Sequence, residues 1–163
     1  MKQGSICIHQ NTGGFTYVEL IISLVLLGLL ASIVIPVTSV ASKQQKEREL
    51  KAALLEMRVA IDAYKLASDR NELVDEFKTE SGYPPDLKAL MGVPSKYSNK
   101  KIIRFLRKIP NDPFSDQTQI PELNWGVRSY ASEASEPKKG KDVYDIYSLS
   151  KDTGINGIAY RLW

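Results

Sequence analysis

Cysteine and histidine are nearly absent: the chain of 163 residues has one of each, Cys7 and His9, and both precede a long apolar run. Whatever folds after that run therefore has no disulfide, no thiol nucleophile, and no thiolate or imidazole metal ligand. Excess charge of one sign is missing too. The formal charge is +3, with cations and anions mixed along the polar part, which is not the footprint of a nucleic-acid binder. Gly-rich phosphate loops are absent, as are carboxylate pairs at a spacing that would support acid–base chemistry, so nothing points to an enzyme. Between Val37 and Gly82 there is neither glycine nor proline, and nothing in that interval obliges a helix to stop.

What is present begins with "GGFTYVELIISLVLLGLLASIVIPV", Gly13 to Val37. From Leu20 the segment is apolar except for Ser23, Gly28, Ser32 and Pro36, and its length suits a helix crossing a hydrocarbon core. It is too long for the apolar region of a secretory signal, and the small residues that invite cleavage, Gly13 and Gly14, come before it. Glu19 stands at its entrance. An ionised carboxylate at membrane depth costs roughly 2.5–3.5 kcal/mol, so Glu19 is either an interfacial residue of an ordinary anchor or a group awaiting a partner.

Beyond the junction "TSVASKQQ", Leu50, Leu54, Met57, Ile61 and Tyr64 recur at helical spacing with Ala53, Ala60 and Ala67 beside them. This is one apolar stripe on a helix and predicts a core face. With the apolar run it predicts a single helix from about Thr16 to the region of Lys78, loosened if anywhere at Ser68 to Asn71. Pro84 and Pro85 follow, then short helical pieces in "DLKALMG" and "KKIIRFLRKIPNDPF". The basic residues of the latter read as a solvated helix face. Three runs have strand character, Trp125 to Ala131, Val143 to Leu149 and Ile158 to Trp163, and the turn-rich loops between them predict an antiparallel meander.

The N-terminal segment resembles the prepilin family, which includes type IV pilins and type II secretion pseudopilins: a polar leader ending in glycine, then "FTxxE" and an apolar helix. Gly14, Phe15, Thr16 and Glu19 carry the match, with Gly28 and Pro36 where many pilins have glycine and proline. The order of helix, "IPNDPF" loop and small sheet looks like the major pseudopilin of type II secretion, through Ile109, Pro110, Asp112, Pro113 and Phe114, then Tyr147, Ser148, Leu149, Asp152 and Gly154. Two features depart from the pattern: Lys2 alone supplies basic charge to the leader, and Lys43, Lys46 and Arg48 follow the apolar run, against a simple positive-inside count.

The resemblance implies an α+β, type IV pilin-like fold: leader 1–14, transmembrane helix 15–38, periplasmic half of the spine 39–80, and head 81–163 with an antiparallel sheet of about three strands. It implies cleavage between Gly14 and Phe15 by a prepilin peptidase, N-methylation of Phe15, and pairing of Glu19 with the amine of a neighbouring subunit. Gly28 and Pro36 would let the helix loosen on packing, or are simply tolerated in a membrane helix. A C-terminal calcium would fall to Asp152 with Leu149 and Asn156, the family's second aspartate being missing; a plain turn of Asp152, Gly154, Asn156 and Gly157 is the other reading. The function implied is a non-enzymatic subunit of a periplasmic pseudopilus, single-pass in the inner membrane with its N-terminus cytoplasmic. Its partners would be copies of itself, other pseudopilins, the peptidase and the inner-membrane assembly platform. A minor pilin of a pilus or competence system stays open, as does a monomeric anchored head that binds something in the periplasm.

Overall fold

The computed structural model describes residues 14–115 and 120–163, and all of their side chains except those of 32–38 and 99–100. Two compact units meet between Ala41 and Ser42. One long helix, α1 (Tyr17–Asp69), runs through that boundary. In the first unit it starts on a Thr16 N-cap: the Glu19 amide donates to Thr16 Oγ1 at 3.2 Å, and Leu20 closes the first turn on Thr16 O. Glu19 also lies where the helix dipole favours a negative charge. Val18 through Leu30 are exposed on all sides, from 41% at Ile21 to 63% at Leu30 among the large apolar residues. Among the described residues no helix is long and apolar enough to cross a membrane, so the span expected over 15–38 is not found there; the run continues through residues 32–38, outside the described side chains.

In the second unit α1 buries the expected stripe: Leu50, Ala53, Leu54, Met57, Ala60, Ile61, Tyr64 and Ala67 all lie in one core. At roughly 1.5–3 kcal/mol for each large side chain removed from water, this stripe is the main attachment of the head. Leu87, Leu90, Val93, Leu106, Ile109, Trp125, Val143, Ile146 and Tyr160 meet it.

The helix stops at Asp69 rather than near Lys78. Asn71 adopts φ 59°, its amide donates to Ser68 O at 2.9 Å, and the Glu72 amide reaches back to Ala67 O at 3.0 Å. That is a Schellman termination with asparagine in the left-handed position where glycine is usual. Residues 70–80 hold a short 3-10 turn, Asp75–Phe77, and a single antiparallel bridge, Leu73 with Ser95.

Two small antiparallel sheets replace the expected meander. β1 (Val93–Ser95) pairs with β2 (Ser98–Ile103), Val93 opposite Ile103. β2 occupies sequence expected to be helical; its β-branched Ile102 and Ile103 suit a ladder, and the amides of Phe105 and Leu106 beyond it both turn onto Leu90 O. The piece before β1 is a 3-10 turn, Lys88–Met91. β3 (Trp125–Arg128) pairs with β4 (Asp145–Ser148), Trp125 opposite Ser148 and Arg128 opposite Asp145. Tyr147 lies over Gly126 so closely that a Cβ there would come within 2.3 Å of its ring.

The third expected strand is not one. Residues 158–163 make a single bridge, Ala159 with Thr153, and then a 3-10 turn, Tyr160–Leu162. The amides of Leu162 and Trp163 bond locally, and Arg58 of α1 donates to the main-chain oxygens of both Ile146 (3.3 Å) and Trp163 (2.7 Å). An arginine from the helix thus bridges backbone that a ladder would otherwise have joined.

Candidate functional site

The residues singled out in the sequence fall in two places. The first is the start of α1. Gly14 is exposed with open space around it, Phe15 is 83% exposed, and Glu19 is exposed. No side chain among the described residues pairs with the Glu19 carboxylate; Ser23 Oγ donates to the Glu19 main-chain oxygen at 2.8 Å. Gly28 likewise has open space on its Cβ side. Pro36 lies within α1, its side chain outside the described residues, and the leader from Met1 to Gly13 lies outside them too. A carboxylate thus stands on a helix whose apolar side chains are uncovered all round, an arrangement suited to burial among other helices rather than to water.

The second place is the C-terminal loop. Gly154 donates to Ile158 O at 2.8 Å, Gly157 to Gly154 O at 2.9 Å with φ +78°, and Ile158 to Asn156 Oδ1 at 3.0 Å. Asp152 is exposed; its amide donates to Ser150 Oγ and its main-chain oxygen accepts from Tyr160. Leu149, just past β4, is half exposed. Gly154 is buried, and a Cβ would strike Trp163 at 2.5 Å.

Several buried polar groups organise the head in ways the sequence did not show, Asp112 having been named only as part of the "IPNDPF" match. Glu47, 9% exposed, accepts on Oε1 from the Ile155 amide (2.7 Å) and the Tyr160 hydroxyl (3.0 Å). Burial, followed by that hydrogen bond and the Glu47 charge, pushes the Tyr160 hydroxyl up to about 12. The signal for Glu47 was present: it continues the spacing of Leu50, Leu54 and Met57 by one step, a carboxylate on the apolar stripe. Asp142 accepts from Ser81 Oγ, from Ser129 Oγ at 2.6 Å and from the Tyr130 amide at 2.9 Å. Burial pushes its carboxyl up, and the three donors more than offset this, leaving it below the ordinary range. Asp112, fully buried in the "IPNDPF" loop, accepts from Ser148 Oγ (2.5 Å) and the Phe114 amide (2.8 Å), tying that loop to β4. These carboxylates are each committed to donors of the fold.

No family model matches the chain, and no solved structure does. Among known proteins it is similar to type II secretion system core protein G of Pectobacterium carotovorum, with 31% identity over 143 residues, 85% of this chain and 76% of that protein. The protein of the same name from Klebsiella pneumoniae is 30% identical over 115 residues, 68% of this chain and 75% of that one. That of Pseudomonas aeruginosa is 29% identical over 148 residues, 88% and 87% of the two chains.

Proposed function

The chain belongs to the family of type II secretion system core protein G, a pilin-like subunit of the secretion pseudopilus, and from that premise we propose how its residues serve assembly. A peptidase removes residues 1–14, leaving Phe15 as an N-methylated terminus. The apolar helix of residues 15–38 holds the subunit in the inner membrane, with the rest of the spine (39–80) and the head (81–163) on the periplasmic side. From the membrane, subunits join copies of themselves and other pseudopilins on an inner-membrane assembly platform. The chain's work is structural rather than catalytic.

The observation that carries this reading is Glu19. Thr16 and the helix dipole stabilise the backbone at the start of α1, yet the carboxylate has no partner among the described residues, and the side chains around it are uncovered. In a filament the neighbour's Phe15 ammonium can meet it. Because an uncompensated charge in an apolar spine costs several kcal/mol, only one stagger of adjacent helices is tolerated. Gly28 and Pro36 ease local bending as helices pack.

Glu19→Val tests the role. A simple anchor gains apolarity from the change and works as before. A filament subunit leaves its neighbour's amine unpaired, so the variant should be cleaved, membrane-bound and folded, yet should give no cross-linked ladder between cysteines placed on adjacent helices and no secretion. Normal ladders together with normal secretion would overturn the assembly role of Glu19.

A further inference from the structure

The C-terminal loop carries two fastenings from α1 that lie one helical turn apart. Lys43 Nζ donates to Thr153 O at 2.8 Å, and Glu47 Oε1 accepts from the Ile155 amide at 2.7 Å and the Tyr160 hydroxyl at 3.0 Å. Residues at this spacing share a helix face. Farther along, Lys51 sits over the Trp163 ring at 4.5 Å and Arg58 holds the Trp163 main-chain oxygen at 2.7 Å. The loop therefore receives a cation at its carbonyl and an anion at its amide from the same stretch of helix.

A calcium ion in this loop would need six to eight oxygens, several of them from carboxylates. The residues do not fit that demand. Asp152 is the loop's own carboxylate, and it is exposed. Asn156 Oδ1 already accepts from Ile158, Gly154 O from Gly157, and Asp152 O from Tyr160. Thr153 O faces an ammonium, which repels a second cation at that oxygen. Glu47, the nearest buried carboxylate, is occupied by an amide and a hydroxyl, and among the described residues no three His, Cys, Asp or Glu side chains converge on a metal position.

We infer that this loop is fastened without a metal ion, the Lys43 ammonium and the Glu47 carboxylate of α1 doing from within the chain what a bound divalent cation would do from outside it. The role of Glu47 is to hold the ends of the loop together: Ile155 lies in its tip, and Tyr160 anchors its return in the core, stacked at 4.2 Å on Phe114. Neither step depends on how the subunit assembles.

The test uses the full chain in detergent micelles, followed by tryptophan fluorescence on heating and by amide exchange. Saturating calcium chloride and excess EDTA should give the same melting temperature for the unchanged protein. Glu47→Ala should speed exchange of the Ile155 amide by about tenfold or more, the worth of one lost hydrogen bond to a charged acceptor, while the Tyr144 amide, which donates to Arg128 O at 2.8 Å, stays protected. Should Glu47→Ala fail to fold, Lys43→Met, a change at a half-buried position, should lower the melting temperature equally in calcium and in EDTA. A calcium-dependent rise in melting temperature that Asp152→Ala abolishes would overturn the inference, as would unchanged Ile155 exchange in Glu47→Ala, or rescue of Lys43→Met by calcium. All of these readouts concern the folded head, so failure of the assembly reading leaves them intact.

Discussion

Asp142 joins segments far apart in sequence: Ser81 from the turn after α1, and Ser129 and Tyr130 from the end of β3. Because its carboxyl is held below the ordinary range in the folded chain, it stabilises the fold above the unfolded carboxylate pKa of about 3.9, and the benefit is lost as pH falls through the lower folded value. Asp142→Ala strands two hydroxyls and an amide, and at about 1–3 kcal/mol for an orphaned donor the expected loss at neutral pH is on the order of 2–3 kcal/mol. Denaturant titrations at a series of pH values should show the gap between wild type and variant narrowing as the solution is acidified below about pH 4. A gap of constant size would show that ionisation of Asp142 contributes nothing. None of this is visible in the sequence, where Asp142 closes the polar loop "SEASEPKKGKD".

Among the elements, the end of α1 shows how a helix can stop without the residues that usually stop one. Asn71 holds the left-handed conformation, and its side-chain oxygen accepts from Lys78 and, at 3.3 Å, from Lys96. Asn71→Ala should lose both the tolerance for positive φ and those contacts, costing about 1 kcal/mol, or a melting temperature lower by roughly 4–8 °C. Asn71→Gly removes the strain and should stay within about 0.5 kcal/mol of wild type, since the contacts it gives up are exposed. If alanine and glycine behave alike, the termination does not rest on backbone conformation. The stripe from Leu50 to Tyr64 was legible because a 3.6-residue period over many residues has few competing explanations. The stop at Asn71 was legible only as a stretch, Ser68 to Asn71, where the helix would loosen if anywhere, since asparagine occurs freely inside polar stretches. β2 and the segment after Gly157 were misread for a related reason: short apolar runs such as "KKIIRFL" and "IAYRLW" satisfy helix, strand and turn alike. The decision fell to partners distant in sequence, Val93 for Ile103 and Arg58 for the oxygens of Ile146 and Trp163.

At the scale of the whole molecule the buried core belongs to the second unit, Ser42–Trp163, while the described apolar side chains of the first are exposed from Phe15 to Leu30. The two units differ in burial, and in sequence they differ in pattern rather than in degree, an uninterrupted apolar run against an amphipathic stripe. Gly14, Phe15 and Glu19, for which processing and assembly roles are proposed, stand together as a motif in the sequence, whereas the clamp formed by Lys43 and Glu47 required the fold to bring Thr153 and Ile155 beside the helix. Met57 tests the independence of the units. It is fully buried at the centre of the stripe, and Met57→Ala should cost about 2–5 kcal/mol through lost burial and the cavity left behind. A small head of marginal stability would then be largely unfolded at growth temperature. If, as proposed, a membrane peptidase reads the segment around Gly14 and the apolar helix after it, intact-mass analysis of the membrane fraction should still give Phe15 as the N-terminus, while near-ultraviolet circular dichroism shows the aromatic packing of the head to be gone. Loss of processing in Met57→Ala would mean that the peptidase reads the folded head as well, and the two units could not then be treated as separate determinants of insertion and assembly.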